Sequence, residues 1–180
     1  MANYKFAAFL DFVQDTLNQE ANAANLPANR FALENSGDEV IRCSWARIQE
    51  VVDNFRLGNN GDLNTFQHLG FDCQIRFCLS HFNGYIRMNQ AQRDWLEANR
   101  DQLETYQPHG EITCEGALDG PGFGFDCAHY KDIQTNPLNR SVPMFGVREG
   151  ATFKTPDFVR SELVRWAEHI NSILPEELRN

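Results

Sequence analysis

The pair Asn83-Gly84, set between two strand-like runs, constrains this chain more than any other feature. Both residues accept the positive φ of a type I′ turn, so Asn-Gly is the strongest short-range hairpin signal a sequence carries. The pattern predicts a first hairpin that runs over 73–82, turns at Asn83-Gly84 and returns over 85–88. Asn89 then suits the N-cap of a helix over roughly 90–106. A second hairpin is expected with arms at about 111–118 and 123–131, joined through Asp119-Gly120-Pro121-Gly122, where Pro then Gly suits the centre of a type II turn. In its return arm Phe123, Phe125, Cys127 and His129 share one face. Hairpin, helix and hairpin in direct succession require an antiparallel sheet.

The flanking segments add helices. Phe6, Phe9, Leu10, Val13 and Leu17 keep helical spacing and predict a helix over 4–19, ended by the Ala- and Asn-rich connector 21–30 with Pro27. Ile41, Cys43 and Trp45 alternate, so 39–45 reads as a short strand. Ile48, Val51, Val52 and Phe55 then mark a helix over 46–55 with Gly58 as its stop. The stretch 58–70, with Asn59-Asn60-Gly61-Asp62, reads as loop, and 132–154 reads as irregular around an edge strand at 144–147. The last helix is the best marked. Thr155 is a good N-cap, Pro156 sits at N1 and Asp157 favours the positive helix end. Val159, Leu163, Trp166, Ile170, Ile173 and Leu174 form its apolar stripe, and Pro175 stops it. The expected fold is a single α+β domain over 1–180, with a four- or five-stranded antiparallel sheet covered mainly on one face by three or four helices.

Composition narrows the partners. The chain has 180 residues, 42% hydrophobic and 12% aromatic, enough to bury roughly 70% of the unfolded surface of a chain this size. Its net charge is −9, and no region is basic: 1–70 and 71–131 each carry 5 basic and 9 acidic side chains, and 132–180 carries 6 and 7. A groove that tracks phosphates needs a basic surface, so nucleic acid and anionic membranes are disfavoured as partners. No run approaches the roughly 18 apolar residues of a membrane span. The first residues lack the charged-then-apolar pattern of a signal region. The five cysteines are odd in number and unclustered, which argues against a secreted disulfide framework. A reducing cytoplasm is the expected setting.

Motifs exclude more than they offer. There is no Walker A sequence, no G-x-G-x-x-G between a strand and a helix, and no G-x-S-x-G. Gly120, Gly122 and Gly124 form a G-x-G-x-G run with strand-like flanks, read as hairpin turn chemistry with a bulge at Gly124. Two registers of the second hairpin remain open. A tight turn about Gly120-Pro121 sets Cys114 opposite Cys127; a turn centred on Pro121-Gly122 sets it opposite His129. Either gathers Cys114, Cys127 and His129, a weak metal set lacking the second close-spaced pair of structural zinc sites. His68 and His109 fall in predicted loops and carry no signal. No cofactor is expected.

An enzymatic alternative rests on the same hairpin. Metal-dependent nucleases and hydrolases place carboxylates on adjacent strands beside a lysine, and Glu115, Asp119, Asp126 and Lys131 supply the residue types, with Glu111 nearby. In the tight register Glu115 and Asp126 are cross-strand neighbours that would call for a cation. The position two before Lys131 holds His129 rather than an acid, which departs from the usual acidic-x-Lys triplet.

The favoured reading is binding. Asp94, Glu97, Asp101 and Glu104 fall within a strip of about 80° on the predicted helix, opposite Leu96, Leu103 and Tyr106. Arg93 with Glu97 and Arg100 with Glu104 are i, i+4 pairs that partly neutralise it. The strip suits a basic protein partner. Size, charge and the lack of catalytic motifs together point to a small acidic inhibitor, immunity or adaptor protein of bacterial or phage type.

Overall fold

The computed structural model describes residues 31–34, 40–43, 45–117, 119–136, 144 and 151–179, with side chains from 48 onward. The helix predicted over 4–19 and the edge strand at 144–147 lie outside the described residues, Met144 excepted. The architecture is α+β, as the sequence predicts. Its main sheet has four antiparallel strands in the order β3 (Leu63–His68), β4 (Phe71–Cys78), β5 (His81–Arg87) and β6 (Gly122–Asp126). A second sheet pairs β1 (Phe31–Glu34) antiparallel with β2 (Val40–Cys43) and parallel with β7 (Thr152–Lys154). Among the described residues four α-helices accompany them: α1 (Trp45–Gly58), α2 (Gln90–Ala98), α3 (Arg100–Leu103) and α4 (Pro156–Ile173).

The first hairpin forms, but its turn is not at Asn83-Gly84. Cys78 pairs with His81 and Phe77 with Phe82, so the chain reverses at Leu79-Ser80, where Leu79 takes φ 55°. Asn83 and Gly84 lie inside β5, opposite Arg76 and Ile75 on one side and Asp126 and Phe125 on the other. The apolar pattern explains the choice. A turn at 83–84 would pair 85–88 with 79–82 and leave the alternating run 71–77 to pair with residues that form α2. Reversal at Leu79 instead sets Cys73 against Ile86 and Phe77 against Phe82, so that Phe71, Cys73, Ile75, Phe77, Phe82 and Ile86 share one face, with Cys78 and Tyr85 on the other.

The segment predicted as loop also contains a strand. β3 pairs along its whole length with β4, and the two are joined through Leu69 and Gly70, both at positive φ (48° and 78°), the primed-turn geometry hairpins prefer. Thr65 and Gln67 are exposed on β3, so its composition hides it. Likewise 39–45 divides: β2 ends at Cys43, and Trp45 opens α1 rather than closing the strand.

The second hairpin is the largest correction. Only Gly122–Asp126 is strand, and it pairs with β5 rather than with a full antiparallel arm from 111–118. That arm touches β6 at a single bridge, Cys114 with Gly124, and turns between Ala117 and Gly120. Neither expected register forms. The glycines explain it. A side chain at Gly122 would collide with the Ile86 carbonyl, and one at Gly124 would lie 2.5 Å from the Tyr85 ring. These glycines therefore let β6 approach β5, rather than making a turn.

The core sits between the sheet and α4. Val159, Leu163, Trp166 and Ile170 are fully buried, with Trp166 edge-on to Phe125 at 6.1 Å. From α1, Phe55 packs edge-on to Phe82 at 4.9 Å. Capping follows the sequence signals. Thr155 accepts from the Phe158 amide at 3.2 Å, with Pro156 opening α4. Asn89 and Gln92 complete a reciprocal capping box at α2. The helix expected over 90–106 is broken, however, at Asn99 (φ −121°, ψ 40°), whose side chain donates to the Trp95 carbonyl at 2.8 Å in competition with the helical ladder.

Candidate functional site

Asp94, Glu97, Asp101 and Glu104 are all exposed, and Leu96 and Leu103 on the opposite side are fully buried. Periodicity thus turns the four carboxylates outward despite the break at Asn99. Two arginines run along this surface. Arg93 pairs with Glu97 at 2.6 Å and Arg100 with Glu104 at 2.6 Å, the i, i+4 pairs read from the sequence. Arg93 is only 7% exposed. Its guanidinium lies 3.8 Å from the centre of the Phe123 ring, which anchors α2 to β6.

Glu115 joins this surface instead of facing Asp126. Its carboxylate takes Arg93 at 3.1 Å and Arg100 at 3.0 Å, and its carbonyl accepts from Arg93 at 3.1 Å. Burial would lower the Arg100 pKa, but the bonds to Glu104 and Glu115 outweigh it and raise it. The other hairpin residues are dispersed. Asp126 pairs across the sheet with Asn83 and accepts from the Ala128 amide at 2.9 Å. Asp119 lines a shallow groove with Asp62 and Arg76. The side chain of Lys131 is exposed, while its carbonyl accepts from Thr152.

The cysteines are likewise not gathered. Cys114 lies against Gly124, three residues short of Cys127 and five short of His129, and its thiol donates to the Gly116 carbonyl at 3.1 Å. Cys127 is 1% exposed, and burial pushes its thiol well above the ordinary range. Burial likewise pushes Cys73 up to about 12.

Another cluster forms instead, and it contains His129. The imidazoles of His109 and His129 and the Asp132 carboxylate bring ligand atoms within 4.8 Å of one another. His109 lies in the 3-10 turn Pro108–Gly110 at φ 31°, ψ 57°, in the left-handed region. Its amide donates to Glu162 Oε2 at 3.2 Å, which also accepts from the Tyr106 hydroxyl at 3.2 Å. Its ring is wedged edge-on between Phe158 at 5.0 Å and His129 at 4.9 Å.

The Asp132 side chain is 3% exposed, and its Oδ2 is the hub. It accepts from His109 Nε2 at 2.8 Å and from the His129 amide at 2.9 Å, with His129 Nδ1 at 3.3 Å. Burial alone would raise the Asp132 pKa. The His109 hydrogen bond and charge, the His129 amide and Lys154 reverse the sign and hold the carboxyl below its usual range. Lys154 Nζ stands 4.0 Å from Oδ1 and donates to Thr152 Oγ1 at 2.8 Å.

Sequence reading missed His109 and Asp132 as members of a site. The one local signal is His129-x-x-Asp132, a spacing that lets a turn fold its aspartate back onto the histidine amide. What defines this chain at the level of class is an α+β unit with an acidic helical face and a half-buried His–Asp–His cluster. No family profile, curated protein or solved structure matches the chain. No helix among the described residues is long and apolar enough to cross a membrane.

Proposed function

We propose that this chain is a protein-binding domain of the inhibitor, immunity or adaptor type, acting in a reducing compartment and taking a basic partner on the outer side of α2 and α3. The observation that carries the reading is the joint orientation of five carboxylates. Asp94, Glu97, Asp101, Glu104 and Glu115 share a surface with two arginines, Arg93 and Arg100, giving a local excess of three negative charges. Each arginine is held by at least two of the carboxylates, so the surface is set before a partner arrives. Such charge acts chiefly on the encounter rate and on orientation. Hydrolysis at Glu115, Asp119, Asp126 and Lys131 is the weaker reading, because these side chains lie in different places and do not converge.

The test uses Asp94 and Asp101, which lie outside the arginine pairs. Asp94 accepts a side-chain bond from Gln90 at 2.6 Å. A partner is captured from host lysate, purified, and its association measured with the parent and with Asp94→Lys/Asp101→Lys. The variant should associate at least about tenfold more slowly, and the gap should shrink with salt, since the Debye length is about 8 Å at physiological ionic strength. Its stability should stay within about 0.5 kcal/mol of the parent. Equal association rates for every recovered partner would reject the reading.

A further inference from the structure

We infer that His109, His129 and Asp132 form a site for one transition-metal ion, zinc being the ion that the donor set suits best, with a fourth position left to water. The inference is independent of the acidic face. Two imidazoles and one carboxylate are the donors of three-ligand zinc sites, whereas calcium and magnesium prefer oxygen alone.

The spacing fits. Metal–ligand distances of about 2.0–2.1 Å at tetrahedral angles put ligand atoms about 3.3 Å apart. His129 Nδ1 and Asp132 Oδ2 already stand at 3.3 Å, and His109 Nε2 and Oδ2 at 2.8 Å. The second pair needs to open by only about half an ångström. An ionised carboxylate can only accept, so His109 Nε2 carries the proton in the bond to Asp132. Ligation needs the other tautomer at His109, with its proton on Nδ1 and Nε2 free, and a His129 ring with its proton on Nε2 and Nδ1 free. Lys154 opposes a dication, but it faces Oδ1, while Oδ2 is the oxygen shared by both histidines.

The surroundings are those that hold ligands in place. Glu162 fixes the His109 backbone, Phe158 fixes its ring, and the His129 amide fixes the carboxylate. The backbone at His109 is held in the sparsely populated left-handed region, a local strain that the packing on its ring sustains. Next to it, Gly110 has φ 101°, and a side chain there would lie 3.1 Å from His129 Nε2. The absence of one keeps that side of the cluster open. An ion here would tie the 108–110 turn to the 129–132 turn, which bridges β7 at Thr152.

The experiment is zinc binding to the full chain after chelator treatment, read by equilibrium dialysis with elemental analysis and by competition with a chromophoric chelator. One zinc per chain is expected. His129→Gln and Asp132→Asn should each weaken binding by at least about 100-fold, more than the loss of an outer-shell partner would cost. His129 is the safer of the two to change, because its side chain is 33% exposed. A readout without variants uses the parent protein. Zinc should shift the ring carbon-bound proton resonances of His109 and His129 together, and cobalt(II) should give the strong visible bands of tetrahedral coordination. Absence of stoichiometric zinc would overturn the site. So would stoichiometric binding unchanged in His129→Gln, or resonance shifts confined to other histidines.

Discussion

Replacing Gly84 separates the two roles that an Asn-Gly pair can play. As the second centre of a primed turn, Gly84 would tolerate Asn, which accepts positive φ readily. In β5 the demand is space. A Cβ built on Gly84 lies 2.5 Å from Phe125 Cε1, 2.6 Å from Cζ and 3.1 Å from Leu163 Cδ2. Phe125 and Leu163 are 1% and 0% exposed, and Phe125 is edge-on to Trp166, so neither gives way cheaply. Overpacking of this kind costs about 1–3 kcal/mol. Loss of glycine's freedom in the unfolded chain returns about 0.4–1 kcal/mol. Gly84→Ala should therefore destabilise by about 1.3 kcal/mol, the middle of the resulting range. Gly84→Val should cost about 3 kcal/mol, and Gly84→Asn as much, since it also buries an amide without a partner.

The assay is urea unfolding, with m compared among variants to show that the transition is unchanged in kind. Gly116→Ala is the control, because nothing lies within 4 Å of the added carbon, and it should stay within about 0.5 kcal/mol of the parent. Phe125→Leu in the Gly84→Ala background should recover at least about 0.5 kcal/mol of the alanine penalty, because the atoms in conflict are removed. If Gly84→Asn is as stable as the parent, or if Phe125→Leu leaves the alanine penalty intact, the steric account of β5 is wrong.

The thiols and one cross-strand ion pair give further tests. Only thiolates react readily, so Cys73 and Cys127, both raised by burial, should resist Ellman's reagent in the native protein and react on unfolding. All five thiols should titrate after unfolding without reductant; mass mapping that finds native Cys73 or Cys127 labelled as fast as Cys114 would contradict this. Asp72 is held below the usual carboxylate range first by Arg87 and then by Gln67. A depressed native pKa adds stability above the unfolded value and loses it as pH falls. The gap between the parent and Asp72→Asn should thus be full at neutral pH and close below about pH 4; a gap constant down to pH 2 would refute it.

The elements legible in the sequence are those where periodicity and capping agree. α4 carries a cap, a first-turn proline and a full apolar stripe, and it spans Pro156–Ile173 much as expected. α2 begins where Asn89 and Gln92 place it. β3 is hidden because two of its six residues, Thr65 and Gln67, are exposed and its flanking turn uses Leu69 with Gly70. Local turn propensity was outvoted at Asn83-Gly84, since register in a sheet with one covered face is chosen by the whole apolar set.

The site depends on that register more than on any single residue type. A β6 arm paired through Cys114 and Cys127 would have set Glu115 against Asp126 and made a cation-seeking pair. Pairing through Cys114 and Gly124 shifts the arm by three residues. Glu115 then comes to Arg93 and Arg100 and becomes part of the acidic face, while Asp126 is left to cap its own turn. The chain beyond β6 is freed to fold back, and only then does Asp132 reach His109, 23 positions away. The glycines at 122 and 124 permit this, because a side chain at either would keep β6 from lying against Ile86 and Tyr85. The same spacing that reads as turn chemistry in one dimension therefore decides, through strand contact, which carboxylates meet arginine and which meet histidine.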